Sequence, residues 1–247
     1  TDAEYTGELT LSPSQFERAL ACPLRWFLTT IGADGPSNAA ASLGSLIHAV
    51  AEEHPHGTRE ELTEALEARI EELGYNLDTW AGRVADRHAR EIVNNLASYV
   101  VGVPGEVTVE QTVSSEVEGV TIRGRMDRLE QVDEGVRVTD LKTGKSGYTK
   151  ANVAENPQLA AYQMALLASG EKVAGARITL LGGSKPQIYD QPALQGEELE
   201  RWRESVREVA LSARGPYFEA RPSQEACRYC SFDRLCPARE RGRKVVE

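Results

Sequence analysis

No apolar stretch in these 247 residues approaches the length of a bilayer-spanning helix, so nothing in the sequence suggests a membrane role. A Gly-x4-Gly-Lys-Ser/Thr phosphate loop is also missing, which excludes a P-loop motor within these residues. Positive charge is in deficit. The 28 Lys and Arg stand against 38 Asp and Glu, a formal net charge of -10, and unaided attraction to a polyanion is weak. Internal repeats and low-complexity tracts are absent, and no signal-peptide pattern is visible. Cysteine is lacking from the whole middle of the chain: the four are Cys22, Cys227, Cys230 and Cys236. What is there, 40% hydrophobic residues over a length able to bury a full core, predicts a single domain spanning 1–247.

The segment Asp140-Leu141-Lys142 closes an apolar run. Chance alone supplies about one Asp-x-Lys in a chain of this length, so its placement has to carry the argument. Gly119–Glu130 alternates as a strand, Asp133-Glu134-Gly135 supplies turn chemistry, and Val136–Lys142 begins a second strand. Two neighbouring antiparallel strands then each carry an aspartate, Asp127 and Asp140. On a strand Asp140 and Lys142 share a face, while Leu141 points into the core. Two carboxylates can hold a hard divalent cation that polarises a phosphoryl oxygen, and a nearby ammonium can steady the nucleophile. A surface salt bridge on a hairpin would use the same three residues.

Upstream, Leu43, Leu46, Ile47 and Val50 recur at helical spacing, with His48 beside that stripe and Gly44 one turn before it. Such a histidine is either a metal ligand or a hydrogen-bonded boundary residue. Downstream, Asn156-Pro157 is an N-cap and first-turn signature, and Gln158 and Tyr162, four apart, share a helix face. They could donate to a phosphate or to Lys142, or form the polar edge of a packed helix.

The ordered set Gly44-x3-His48, Gly124-Arg-Met-Asp127-Arg128, Asp140-Leu-Lys142-Thr-Gly144 and Gln158-x3-Tyr162 resembles the RecB-like branch of the PD-(D/E)xK nuclease superfamily over most of the chain. The resemblance implies an α/β, restriction-endonuclease-like core with a mixed central sheet flanked by helices. It implies His48, Asp127, Asp140 and the Leu141 carbonyl as ligands of catalytic magnesium or manganese, Lys142 as the catalytic lysine, and Gln158 and Tyr162 as its supporting pair. Glu110 stands where relatives often carry an acidic residue, and is expected to have a supporting role at most, an exposed strand glutamate being the ordinary outcome.

Cys227-x2-Cys230-x5-Cys236 with Cys22 far upstream favours a metal site over disulfides, and spacing alone leaves zinc and a 4Fe-4S cluster both open. The pattern resembles the iron-sulfur staple of AddB-type nucleases, which implies the cluster, with residues 11–30 and 220–240 forming the staple around the 42–182 helical segment and catalytic core. Joining residue 22 to residue 227 would restrict the unfolded chain as any long crosslink does. Ser12-Pro13-Ser14-Gln15 is a capping box for a helix over 13–21, after which Pro23, like Pro237 after Cys236, discourages helix continuation.

Further helices are expected within 42–100, one capped by Thr58 with Glu61 and one by Asp78 running through Tyr99. Strands are expected at 106–117, 119–130, 136–143 and 173–182, with helices at 157–169 and 196–214. Gly32–Ser37 reads as a loop, bordering a substrate channel or plain surface. Arg123, Arg125, Arg128, Lys145 and Lys150 could form a local basic DNA-binding track or be routine surface charge.

The leading expectation is a magnesium- or manganese-dependent deoxyribonuclease acting on single-stranded DNA ends in break repair and recombination, in bacterial cytoplasm or nucleoid. Resemblance to AddAB- and AdnAB-type machines implies a helicase motor as partner. Thr1 in place of methionine fits a piece of such a polypeptide, or a trimmed chain. A non-catalytic DNA-end-binding scaffold, a stand-alone repair or CRISPR-adaptation nuclease, and a zinc-stapled protein with no nucleic-acid role are the alternatives.

Overall fold

The computed structural model describes residues 5–33, 43–103, 105–228 and 230–240. The expected loop at Gly32–Ser37 lies mostly outside the described residues. Helices start where side chains can hold their first amides. Ser12 and Gln15 form the expected capping box, with Pro13 in the first turn of α1 (Pro13–Ala21). Cys22 is then extended and caps both α1 and a helix the sequence did not announce, α2 (Pro23–Thr30). Pro23 ends one helix and opens the next, because its missing N–H costs nothing in a first turn.

α3 (Leu43–Glu53), α4 (Arg59–Glu67) and α5 (Trp80–Val101) follow. Thr58 and Glu61 cap α4 as a reciprocal pair. Thr79, one residue later than expected, caps α5 by accepting from the Gly82 amide. Along α3, Leu46, Ile47 and Val50 bury against Leu62, Leu66, Ile92 and Leu96 of the next two helices. Each such side chain contributes about 1.5–3 kcal/mol by leaving water. No described helix is long and apolar enough to cross a membrane.

The sheet is mixed. β1 (Thr10–Leu11), β2 (Val107–Val117), β3 (Val120–Val132), β4 (Gly135–Lys142), β5 (Val173–Leu180) and β6 (Gln187–Pro192) contribute, with α6 (Lys150–Ala154) and α7 (Pro157–Ala168) crossing over between β4 and β5. That crossover makes β4 and β5 parallel, whereas the hairpins β2–β3, β3–β4 and β5–β6 are antiparallel. Like α2, the elements β1, β6 and α6 are not among those expected from the sequence. α8 (Gly196–Arg214) and α9 (Gln224–Arg228) complete the chain. One face of the sheet packs on α1, α7 and α8, the other on α3, α4 and α5.

Two details of this sheet position the site. β3 pairs with β2 along one edge, and its other edge is divided between β1 at Thr121–Ile122 and β4 from Arg128 to Val132. A gap remains at 123–127, where β4 splays from β3. At Gly124 a side chain would meet Pro13 Cδ at 2.6 Å and Tyr162 Cε1 at 2.9 Å, so glycine is what lets α1 and α7 close over the gap.

Candidate active site

Tight turns fix the register of both hairpins, and register brings three carboxylates into line. Val117 pairs with Val120, and the ladder continues to Gln111↔Met126 and Val109↔Arg128, which sets Glu110 opposite Asp127. Val132 pairs with Gly135, and that ladder ends at Arg128↔Thr139, one step before Asp127 and Asp140. Glu110, Asp127 and Asp140 thus stand side by side on three neighbouring strands. Glu110 adopts a φ of 53° inside its strand, a conformation that costs a non-glycine residue about 1–3 kcal/mol and that clusters at functional sites. Opposite it the alternation of β3 slips as well. Met126 packs in the core beneath α7, yet Arg128 reaches Pro55 and Tyr99 on the far side.

Past the end of the ladder, the Leu141 amide has lost its β3 partner and donates instead to Asp127 Oδ2 at 2.8 Å. Leu141 therefore enters the site through its amide, while its side chain is buried against α5's core. The other Asp127 oxygen faces His48 Nδ1 at 3.3 Å. That contact raises the His48 pKa, against a lowering by burial. His48, Glu110 and Asp127 each present one ligand atom, all within 4.8 Å of one another. Burial pushes the Glu110 carboxyl upward, opposed by Arg125 and reinforced by Asp127. The crowded carboxylates are hard O donors whose like charges a divalent cation would neutralise, and the imidazole adds a borderline N donor. The residues present fit magnesium or manganese.

Asp140 is buried, and burial raises its pKa above the ordinary carboxylate range, partly offset by Lys142. Lys142 Nζ lies 2.8 Å from Asp140 Oδ2 and donates to Oδ1 at 3.1 Å, where Gln158 Nε2 also donates at 3.1 Å. Burial pulls the Lys142 pKa down, but the Asp140 charge outweighs it and the ammonium is held above its usual value. Tyr162, on the same face of α7 as Gln158, donates to the Arg125 carbonyl at 2.7 Å, and burial drives its pKa up. The helix thus holds both strands of the fork, one through each side chain.

Among the expected DNA contacts, Arg123, Lys145 and Lys150 are exposed, and Arg125 is exposed but paired to Glu52 and Glu110. Arg128 is a correction: it is fully buried, 3.5 Å from Glu130, and donates to the Pro55 carbonyl, so it cannot reach DNA. Two groups that the sequence reading passed over sit at the site. Glu17 of α1 and Tyr148 of the 143–149 loop are each within electrostatic reach of Asp140 and Lys142, and burial raises both pKa values. No local pattern marks either one: the packing of α1 across the sheet brings Glu17 there, and the loop that leaves β4 brings Tyr148.

All four cysteines are free thiols. Their segments meet: the Leu24 amide donates to the Glu219 carbonyl at 3.1 Å and Arg25 Nη1 to the Ala226 carbonyl at 2.8 Å. Among the described residues no three of these sulfurs gather within 4.8 Å, so the structure does not bring them together as the ligands of one metal centre, zinc or iron-sulfur.

Residues 10–237 match the PD-(D/E)XK nuclease superfamily. None of the curated proteins matches the sequence. Among solved structures, a Eubacterium rectale protein provisionally named an exonuclease superposes with a TM-score of 0.52 at 14% identity, covering 90% of this chain and 86% of that one. The protein SSO0001 gives 0.48 at 15% identity, covering 95% and 89%. At such identities the likeness concerns the fold.

Proposed function

The chain belongs to the PD-(D/E)XK nuclease superfamily, and from that premise we propose that it is a metal-dependent deoxyribonuclease that shortens single strands from an end. The observation that carries this reading is the fork itself, where His48, Glu110 and Asp127 gather beside the Asp140–Lys142 pair at the point where β4 leaves β3. A divalent cation bound by His48, Asp127 and Asp140, with Glu110 beside them, would supply Lewis acidity to the phosphate and acidify a water. The protein's own part is positioning and charge. Asp127 orients His48 through Oδ1 and fixes the β4 backbone through Oδ2. Gln158 holds the Asp140 carboxylate, and Lys142 keeps a proton on Nζ beside the position where negative charge develops. Net charge of -10 supports a strand delivered by another component, as a helicase partner would do. Incubation with single-stranded DNA and manganese is expected to degrade the strand, and EDTA to stop it. Strand loss that continues in EDTA would contradict the reading.

For the cysteines we propose a 4Fe-4S cluster with a structural role. The meeting of the α2 and α9 segments, which carries the stretches around Cys22 and Cys227 toward one another, supports it. Chemical analysis is expected to find about four irons with matching sulfide per chain. The substitution Cys236→Ser should lower both iron content and Tm, whereas zinc without sulfide would sink the cluster.

A further inference from the structure

A groove of about 700 Å³ opens beside the catalytic pair, between α1, the loop at 146–148, the α6–α7 junction and α9. Its volume is that of a small-molecule site. Glu17 and Leu20 form one wall and Tyr148 another. Pro157 of the lining precedes Gln158, whose Nε2 donates to Asp140 Oδ1 at 3.1 Å, so this groove adjoins the Asp140–Lys142 pair. Tyr148 is half-buried, its ring packed against the core that includes α1 and α7.

The chemistry of the walls selects what can lie there. Glu17 and Glu155 place two carboxylates in the lining and Arg228 one guanidinium, and Glu155 is itself paired to Arg201 at 2.8 Å. The two asparagines of the lining are engaged with backbone. Asn152 accepts from the Thr149 amide and donates to the Gly147 carbonyl, and Asn156 accepts from the Leu159 amide. What faces a ligand is an aromatic ring, the Leu20 side chain, the Glu17 carboxylate and the Arg228 side chain of α9. A flat ring with both N–H and carbonyl groups on its edge suits all four.

Resting on the nuclease reading above, we propose that this groove receives one unpaired nucleobase next to the scissile phosphate, stacked on Tyr148 with Glu17 accepting from its edge. Phosphates stay on the Lys142 side and bases turn toward α1. A base held in a duplex has its edge occupied and its faces stacked, so it cannot enter, and the groove makes the enzyme selective for single strands.

The test uses the full chain and single-stranded oligonucleotides carrying one abasic residue at successive positions, cut in manganese. In the wild type, one abasic position beside the cut should lower kcat/KM by about 10-fold or more, the order expected for losing one base–aromatic stack. Tyr148→Ala should lose a similar factor on the intact strand and become indifferent to the abasic residue, while Tyr148→Phe keeps wild-type behaviour. Equal cleavage of intact and abasic strands by the wild type overturns the proposal, as does Tyr148→Ala retaining the abasic effect. Binding in calcium, read by fluorescence of a 2-aminopurine strand, separates the two levels of the argument. Tyr148-dependent quenching without cleavage in manganese would leave the groove assigned and refute the nuclease reading. Cleavage without Tyr148-dependent quenching would do the reverse.

Discussion

Replacing Glu130 by Ala is expected to destabilise the protein by about 3–5 kcal/mol, the cost of stranding a buried charge. Glu130 is fully buried and accepts from the Tyr99 hydroxyl at 2.5 Å and from Arg137 Nη2 at 3.0 Å, with Arg128 Nε at 3.5 Å. Arg128 is equally buried, held to Glu130 as an ion pair, and it donates a hydrogen bond from Nη2 to the Pro55 carbonyl at 3.0 Å. Without Glu130 its guanidinium stays in the interior with no counter-charge. The network also reaches the site, because Arg128 follows Asp127 on β3 and Pro55 closely follows the helix that carries His48. Urea unfolding of the variant should show the loss directly. A change below about 1 kcal/mol would mean that water enters and solvates Arg128, and the buried network would not hold the fork.

The second large effect falls on activity alone. Asp140→Asn is expected to reduce cleavage on the order of a thousandfold, as removing one preorganised charge-stabilising group does elsewhere, while leaving the urea midpoint near that of the wild type. The amide preserves the shape and can still meet Gln158, now 3.1 Å from Oδ1, and it removes a charge that burial disfavours. The Lys142 ammonium then loses the partner 2.8 Å away that holds it in place. A variant that unfolds more readily and yet cuts normally would reverse both halves of this argument.

These expectations also mark what the sequence could reveal. Period-two alternation and the turns at Glu118-Gly119 and Asp133-Glu134 suffice to pair Asp127 with Asp140, and the same register arithmetic places Glu110 opposite Asp127. Glu110 was legible, then, and was underweighted because an isolated strand glutamate is ordinary. The capping signals at Ser12, Thr58 and Asn156 are local and gave three helix starts correctly. Arg128 shares the buried, even-numbered positions of β3 with Met126 and Glu130, so alternation sets it apart from the exposed Arg123 and Arg125, and only its charge suggests a surface role. Glu17 and Tyr148 were invisible for a different reason. Glu17 nears Lys142 through the parallel pairing of two-residue β1 with β3, which sets α1 over the sheet, and Tyr148 through the course of the loop that leaves β4, neither of which has a sequence signature.

The most direct measurement is a time course of end-labelled single- and double-stranded DNA in manganese, run with the wild type and Asp140→Asn at matched folded fraction. The proposed function predicts that the wild type alone shortens the single strand progressively from one end and that the duplex is spared. Equal cleavage by both proteins would place the chemistry somewhere other than the fork between β3 and β4.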